Sequence, residues 1–234
     1  MVMYLNEQTV GNLLRWDRLI AAMETALAGF SLGRVLQPVR NMLTIEEGKR
    51  YLGIMPAVAE DAMGAKLVSF YPRNAGTEVP THLAMILLFR PDTGEPLAVM
   101  DARLITEMRT AAVSAAATRR LAAPDSRVLA LLGSGVQARA HLQALMLVRH
   151  FAEVRVWSRT AEHAERFAEQ HNAKAMLSGD VILSKAKIYA GIGEIFAGVK
   201  EAPLPATTVF KSVGIAVEDI AAAKLVYDAA CGKP

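Results

Sequence analysis

Val128-Leu129-Ala130-Leu131-Leu132-Gly133-Ser134-Gly135-Val136-Gln137-Ala138 is the stretch on which the fold turns. A short apolar run ends in glycines, and residues 136–148 then take helical spacing, so the string reads strand, tight turn, helix. In this G-x-G-x-x-A pattern Gly133 permits the turn, Gly135 lets backbone approach a pyrophosphate, and small Ala138 lets the helix pack close on the strand. Amides at the helix start, including those near Ser134, Val136 and Gln137, present unpaired donors and a partial positive charge to the phosphates. A glycine turn alone is a common structural device. The strand before it and the helix after it make the dinucleotide reading the stronger one.

Downstream, 154–157 reads as a second strand and 161–170 as a second helix, which gives the β-α-β-α order of a parallel α/β sheet. At the end of that strand an NAD-selective protein usually offers Asp or Glu to the ribose 2′-hydroxyl. This chain has Ser158-Arg159-Thr160. Arg159 suits a 2′-phosphate, with Ser158 and Thr160 as further donors, so NADP(H) is favoured and NAD(H) remains possible. The alternative is a solvated Arg159 that merely stacks on adenine.

Upstream the pattern differs. Leu19, Ile20, Met23, Leu27 and Phe30 recur at helical spacing in a helix expected from Asn6 to about Gly33. Runs at 39–45, 51–57, 65–71, 83–90 and 96–101 follow, separated by turn chemistry short enough to demand antiparallel neighbours. An Ala-rich helix, 106–122, ends before Pro124-Asp125, where a linker or boundary is expected.

Composition narrows the function classes. Lys and Arg number 26 against 23 Asp and Glu, a net +3 with the charges scattered, so nucleic acid is not implied. Cys231 is the only cysteine, which rules out an intrachain disulfide and suits a reducing, cytoplasmic setting. No apolar run approaches the roughly 18 residues a membrane span needs, so no membrane association is expected. His141, His150, His163 and His171 lack metal-ligand spacing and read as surface groups; no metal site is argued. The methionines read as core filling.

Six strings, in order, resemble the ornithine cyclodeaminase/mu-crystallin family: Gln37-Pro38-Val39-Arg40, Tyr51-Leu52-Gly53-Ile54-Met55-Pro56, Ala65-Lys66-Leu67-Val68-Ser69-Phe70, Arg109-Thr110-Ala111-Ala112-Val113-Ser114-Ala115, the glycine turn, and Lys211-Ser212-Val213-Gly214-Ile215-Ala216-Val217-Glu218-Asp219. The resemblance implies an α/β protein in which a truncated Rossmann-type nucleotide domain joins an antiparallel α+β substrate and dimerisation domain. The expected boundaries are 1–120 with 207–234 for the substrate domain and 121–206 for the partial nucleotide domain, with a final helix, 217–230, returning to the first. It also implies a homodimer and a small carboxylate-bearing substrate or ligand. Family members reduce cyclic ketimines, interconvert alanine and pyruvate, or cyclise ornithine. In each, a hydride passes to or from an imine or amine carbon that bears a carboxylate.

Arg40, Lys66 and Arg109 match the family's carboxylate anchors, with Lys66 and Arg109 the residues nearest the chemistry. The two arginines have the planar fork for bidentate recognition, and Lys66 is a point charge. Alone, each would read as a surface ion-pair partner. Thr110 matches the position touching the nicotinamide half of the cofactor, or is a helix hydroxyl bonded back to a carbonyl. His82 is a substrate contact or a structural histidine, Glu60 an acid/base candidate or part of a polar turn. Ser212, Val213 and Gly214 correspond to a loop closing on the nicotinamide.

The chain departs from the family after Met176, where Leu177–Ser184 resembles a segment from far downstream. Several tens of residues are expected to be absent there, with the second wall of the nucleotide cleft and the family's catalytic Asp. Three readings follow: an oxidoreductase, impaired or not by the loss; a non-catalytic, mu-crystallin-like NADPH and small-ligand-binding protein; and a shortened chain that binds no nucleotide.

Overall fold

The computed structural model describes residues 1–176, 190–202, 210 and 214–233. The chain opens with strand β1 (Met3–Leu5), then helices α1 (Glu7–Leu13) and α2 (Trp16–Ser31). The single helix expected from Asn6 is therefore two, preceded by a strand. Asn6 caps α1, its Oδ1 accepting from the Thr9 amide at 2.9 Å, and Leu14 leaves the helix in an extended conformation.

Four strands follow in antiparallel succession, β2 (Asn41–Glu46), β3 (Arg50–Val58), β4 (Met63–Phe70) and β5 (His82–Phe89), and then β6 (Pro96–Asp101). Each lies within two residues of its expected run. The sheet order is β1-β6-β5-β4-β3-β2, antiparallel except that β1 lies parallel to β6. Side chains alternate across a strand. One row, Met55, Lys66, Ile86 and Met100, runs over four strands on a single face, and every member is buried.

That face is covered by α3 (Arg103–Leu121) and by the last helix, α7 (Ala216–Ala230), and α2 packs on those two helices. Helix α2 contributes Leu19, Ile20, Met23 and Leu27, α3 its alanines, and α7 Val217, Ile220 and Val226. Each large aliphatic side chain buried this way stabilises by about 1.5–3 kcal/mol. Gly64 lets α7 sit close: a Cβ there would lie 2.4 Å from the Leu87 carbonyl oxygen and 2.9 Å from Ile220 Cδ1. The opposite face exposes Leu43, Ile45, Leu83 and Met85, with Tyr4 at the edge.

The second sheet contains β7 (Val128–Leu132), β8 (Glu153–Trp157) and β9 (Lys174–Ala175), all parallel, with β7 at one edge. Helices α4 (Val136–Met146) and α5 (Ala161–His171) bury Leu142, Ala164 and Phe167 against Leu131, Val154 and Val156 on one face. Val128, Ala130 and Leu132 point the other way and are exposed. Helix α6 (Ile192–Phe196) packs against α2. Neither α6 nor the two-residue β9 is long enough to leave a periodic signal. Among the described residues no helix is long and apolar enough to cross a membrane.

Candidate active site

Lys66 sits mid-strand in β4, where its neighbours across the sheet are Met55 and Ile86. An ammonium in that row has no water to solvate it, so it needs an anion. Asp219, in the first turn of α7, provides one: its Oδ2 lies 2.6 Å from Lys66 Nζ, with side chains 2% and 0% exposed. The other carboxylate oxygen of Asp219 accepts from Arg109 Nε at 3.0 Å, and Glu218 Oε2 accepts from Arg109 Nη1 at 2.5 Å. Two cations from β4 and α3 thus meet two anions at the start of α7, where the helix dipole favours negative charge.

Burial pushes the Lys66 ammonium below its ordinary value, against the pull of Asp219. For Arg109 burial opposes the charge, but the two carboxylates outweigh it and hold the guanidinium more firmly protonated. Burial raises the Glu218 carboxyl, with Arg109 opposing. Gly214 lies against this guanidinium. Its φ is +64° and a Cβ there would fall 2.6 Å from Arg109 Nη1, so the position excludes a side chain on both counts.

His82 begins β5 opposite Phe70, on the same face as Lys66. It is half-buried, and burial, then the charges of Lys66 and Arg109, hold its imidazole towards the neutral form. Arg40 does not join the cluster. It is exposed, one residue ahead of β2, next to the position paired with Ile54. Extending that register puts it beside Met55, two strands from Lys66, roughly 10 Å at ordinary strand spacing. Glu60 is exposed in the turn between β3 and β4, as a polar turn residue would be. Thr110 follows Arg109 on α3, and its hydroxyl donates back to the Thr106 carbonyl at 2.7 Å. Ser212 and Val213 lie outside the described residues, as does the junction after Met176.

The glycine turn links β7 to α4. Gly133 adopts φ +115°, and its amide donates to the Trp157 carbonyl at 2.7 Å, which holds the turn against the end of β8. No described atom lies within 4 Å of a Cβ built on Gly133 or Gly135, so the space over both is open to a ligand. Gly135 caps α4, and Val136 stands exposed beside it. Ser134 donates to the Ser158 hydroxyl at 3.1 Å. A cleft of about 680 Å³ continues from Leu132–Gly135 along Trp157, Ser158 and Arg159 to His163 and Arg166. Thr160 follows as the N-cap of α5. The open glycine backbone, a helix N-terminus and a cationic far wall fit a dinucleotide in the chemistry of their donors.

Two features escaped the sequence reading. Glu218 and Asp219 were legible only as acids favoured at a helix start. Two cations set in apolar runs, however, require two buried anions, and that charge balance is the signal that would have found them. His141 is not a surface group: its Nε2 lies 2.9 Å from Ser114 Oγ on α3, and its Nδ1 lies 2.7 Å from the Gln137 carbonyl oxygen. The contact joins the helix bearing Arg109 to the helix that starts at the glycine turn.

Comparison with known proteins bears on this arrangement. The chain is 38% identical to ketimine reductase mu-crystallin of Mus musculus over 297 aligned positions, covering 95% of each protein. Since the chain has 234 residues, the mouse protein carries residues with no counterpart here. An archaeal alanine dehydrogenase dimer with bound NAD superposes with TM-score 0.90 at 27% identity, covering 99% of this chain and 96% of that one. The Δ1-pyrroline-2-carboxylate reductase of Thermococcus litoralis, in complex with NADH and L-proline, gives TM-score 0.88 at 27% identity, covering 99% and 98%. The sequence pattern of one family matches residues 1–176 and 169–234. The chain belongs to the ornithine cyclodeaminase/mu-crystallin family.

Proposed function

We propose that this protein is an NAD(P)H-dependent oxidoreductase acting on an imine or amine carbon that also bears a carboxylate. One observation carries the reading: Lys66 and Arg109, far apart in sequence, converge through Asp219 at a buried point on the helix-covered face of the sheet. Arg109 would take the substrate carboxylate, Lys66 would fix its orientation, and Arg40 would approach from the sheet edge. His82, held neutral, can accept or donate one hydrogen bond at the same face without adding charge. Gly133 to Gln137 would hold the pyrophosphate and Thr110 would lie towards the nicotinamide, which when bound supplies the hydride. Helix α3 couples the two parts, because Ser114 is five residues, roughly 7.5 Å, along the axis from Arg109.

Relatives named as ketimine reductase, pyrroline-2-carboxylate reductase and alanine dehydrogenase support an enzyme, and none supports the non-catalytic alternative. We read NADP(H) as the preferred cofactor, since Arg159 lines the cleft where the ribose would lie. We assign 1–120 and 207–234 to the substrate domain and 121–206 to a nucleotide domain that lacks an internal segment after Met176. The open apolar face of the large sheet would be covered by a second copy, as in a homodimer, and the lone exposed thiol of Cys231 suits a cytoplasmic protein. The test follows NADPH absorbance with Δ1-pyrroline-2-carboxylate, and with pyruvate plus ammonia. Substrate-dependent oxidation is expected with at least one, and lost in Arg109→Met. Tight NADPH binding with no turnover of either would overturn the enzyme reading.

A further inference from the structure

The buried cluster is already neutral. Lys66 and Arg109 contribute two positive charges, Glu218 and Asp219 two negative ones, and all four side chains are at least nine-tenths buried. A substrate carboxylate brought onto Arg109 would leave this enclosed site with a net negative charge. Proteins avoid that by protonation, because an uncompensated charge in a dry interior costs more than a shifted equilibrium.

The two acids are not equivalent. Asp219 is held at both oxygens, by Arg109 at one and Lys66 at the other. Glu218 is held by one side-chain nitrogen, Arg109 Nη1, at the end of the fork through which an incoming carboxylate would be taken, with the Ile215 backbone as its other partner. We propose that Glu218 is the proton-exchanging group of the substrate site: a substrate carboxylate takes its place on Arg109, and Glu218 binds one proton from solvent as it does so. The charge of the cluster is then unchanged, since one anion arrives and one carboxylate becomes a carboxylic acid. This rests on the proposed role of Arg109 as carboxylate anchor.

Burial already holds the Glu218 carboxyl above its ordinary value. The charged groups that act on it are Arg109 from α3, Asp219 from its own helix and Lys66 from β4, and the Ile215 backbone bonds to it. His82 is the other candidate for the proton, being held neutral beside the two cations.

The linkage has a definite sign. If the liganded form carries the extra proton, affinity is constant below the Glu218 pKa of the free protein. Above it, affinity falls by about tenfold per pH unit until the pKa of the liganded state is passed.

Pyruvate, an anion across the working range, is the probe. Titration calorimetry of the full chain with saturating NADPH, from about pH 6 to about pH 9 and in buffers of different ionisation enthalpy, reads affinity and proton uptake together. The expected result is uptake approaching one proton per pyruvate, with weaker binding at higher pH. In Glu218→Gln the uptake should vanish, the pH dependence should flatten, and pyruvate should bind more tightly than to the wild type at the alkaline end. A purely structural role for Glu218 predicts weaker binding at every pH instead. Wild-type binding with no proton uptake overturns the inference alone. So does uptake that persists in Glu218→Gln and disappears in His82→Asn, which would assign the proton to the histidine. Absence of pyruvate binding in every form at every pH would overturn the anchor reading as well.

Discussion

The two sheets of this protein treat charge and exposure in opposite ways. In the six-stranded sheet, α3 and α7 with α2 packed on them seal one face, and a lysine in the sealed row is 2% exposed. In the three-stranded sheet, two helices seal one face while the other leaves Leu132 58% exposed, and Arg155 and Lys174 pair with Glu153 near water. Depth of burial decides what a charge is for. Where water is excluded the ions must be matched and fixed, so they serve as a template for a charged ligand. Where the sheet is open the glycine backbone is accessible, and binding rests on amides and a cleft.

The sharpest way to break this contrast is to remove one ion from the sealed side. Asp219→Ala leaves Lys66 and Arg109 sharing only Glu218, and stability should fall by about 3–5 kcal/mol, the cost of orphaning buried charge. Urea unfolding followed by circular dichroism measures it. Glu153→Ala, which also removes the partner of two cations, should cost far less because its pairs are solvated. Equal losses at the two sites would mean that the depth argument is wrong.

A matched pair of apolar truncations sharpens the same point. Met100, fully buried in the row with Lys66, should cost about 2–5 kcal/mol on replacement by Ala. Leu132→Ala, at the mouth of the nucleotide cleft, should cost well under about 1 kcal/mol, since that side chain stays largely in water in the folded state. The same unfolding measurement reads both. A large loss at Leu132 would show that something covers the outer face of β7.

How far the sequence carried the reading follows the same division. The glycine turn was legible because its chemistry is local: Gly133, Gly135 and the start of α4 are consecutive residues, and strand–turn–helix order is all that the site demands. The strands of the large sheet were legible through alternation, which only the last one or two residues of each blur. The quartet was not legible as a unit. Lys66 is 153 positions from Asp219, and nothing local at Glu218-Asp219 separates two buried acids from two acids capping a solvated helix. Their joining depends on α7 crossing back over β4, which the close approach at Gly64 permits. The split of the first helix at Leu14 was missed because apolar spacing continues through the break. The link between Ser114 and His141 was missed for another reason, since a histidine and a serine in alanine-rich helices carry no periodic mark.

Cofactor choice is the next test, smaller in effect and confined to the open region. Arg159→Ala should weaken NADPH by about tenfold and leave NADH nearly unchanged, because a charge-assisted contact to a 2′-phosphate is lost from an exposed position. Fluorescence titration with the two nucleotides gives the ratio. Equal weakening of both would assign Arg159 to the adenine rather than to a phosphate.

The smallest expected effect lies at the seam between the regions. Helices α3 and α4 pack against each other and both are rich in alanine, so their contact is close but has little shape to fix a register. The bond between Ser114 and His141 is directional where the alanines are not. Ser114→Ala removes one partner and leaves the Nε2 of a half-buried imidazole to find water, at a cost of about 1 kcal/mol. The loss should appear as faster amide exchange in α4 and the turn before it, while exchange in β4 and β5 stays slow, because only the open region depends on that bond for its orientation. If the quartet serves the substrate and the turn serves the cofactor, the same substitution should lower kcat more than it raises KM for the carboxylate substrate. It changes the angle between the two sites without touching either. Uniform acceleration of exchange through both sheets would instead make α3 and α4 part of one cooperative unit, and the distinction between a sealed and an open region would be one of surface only.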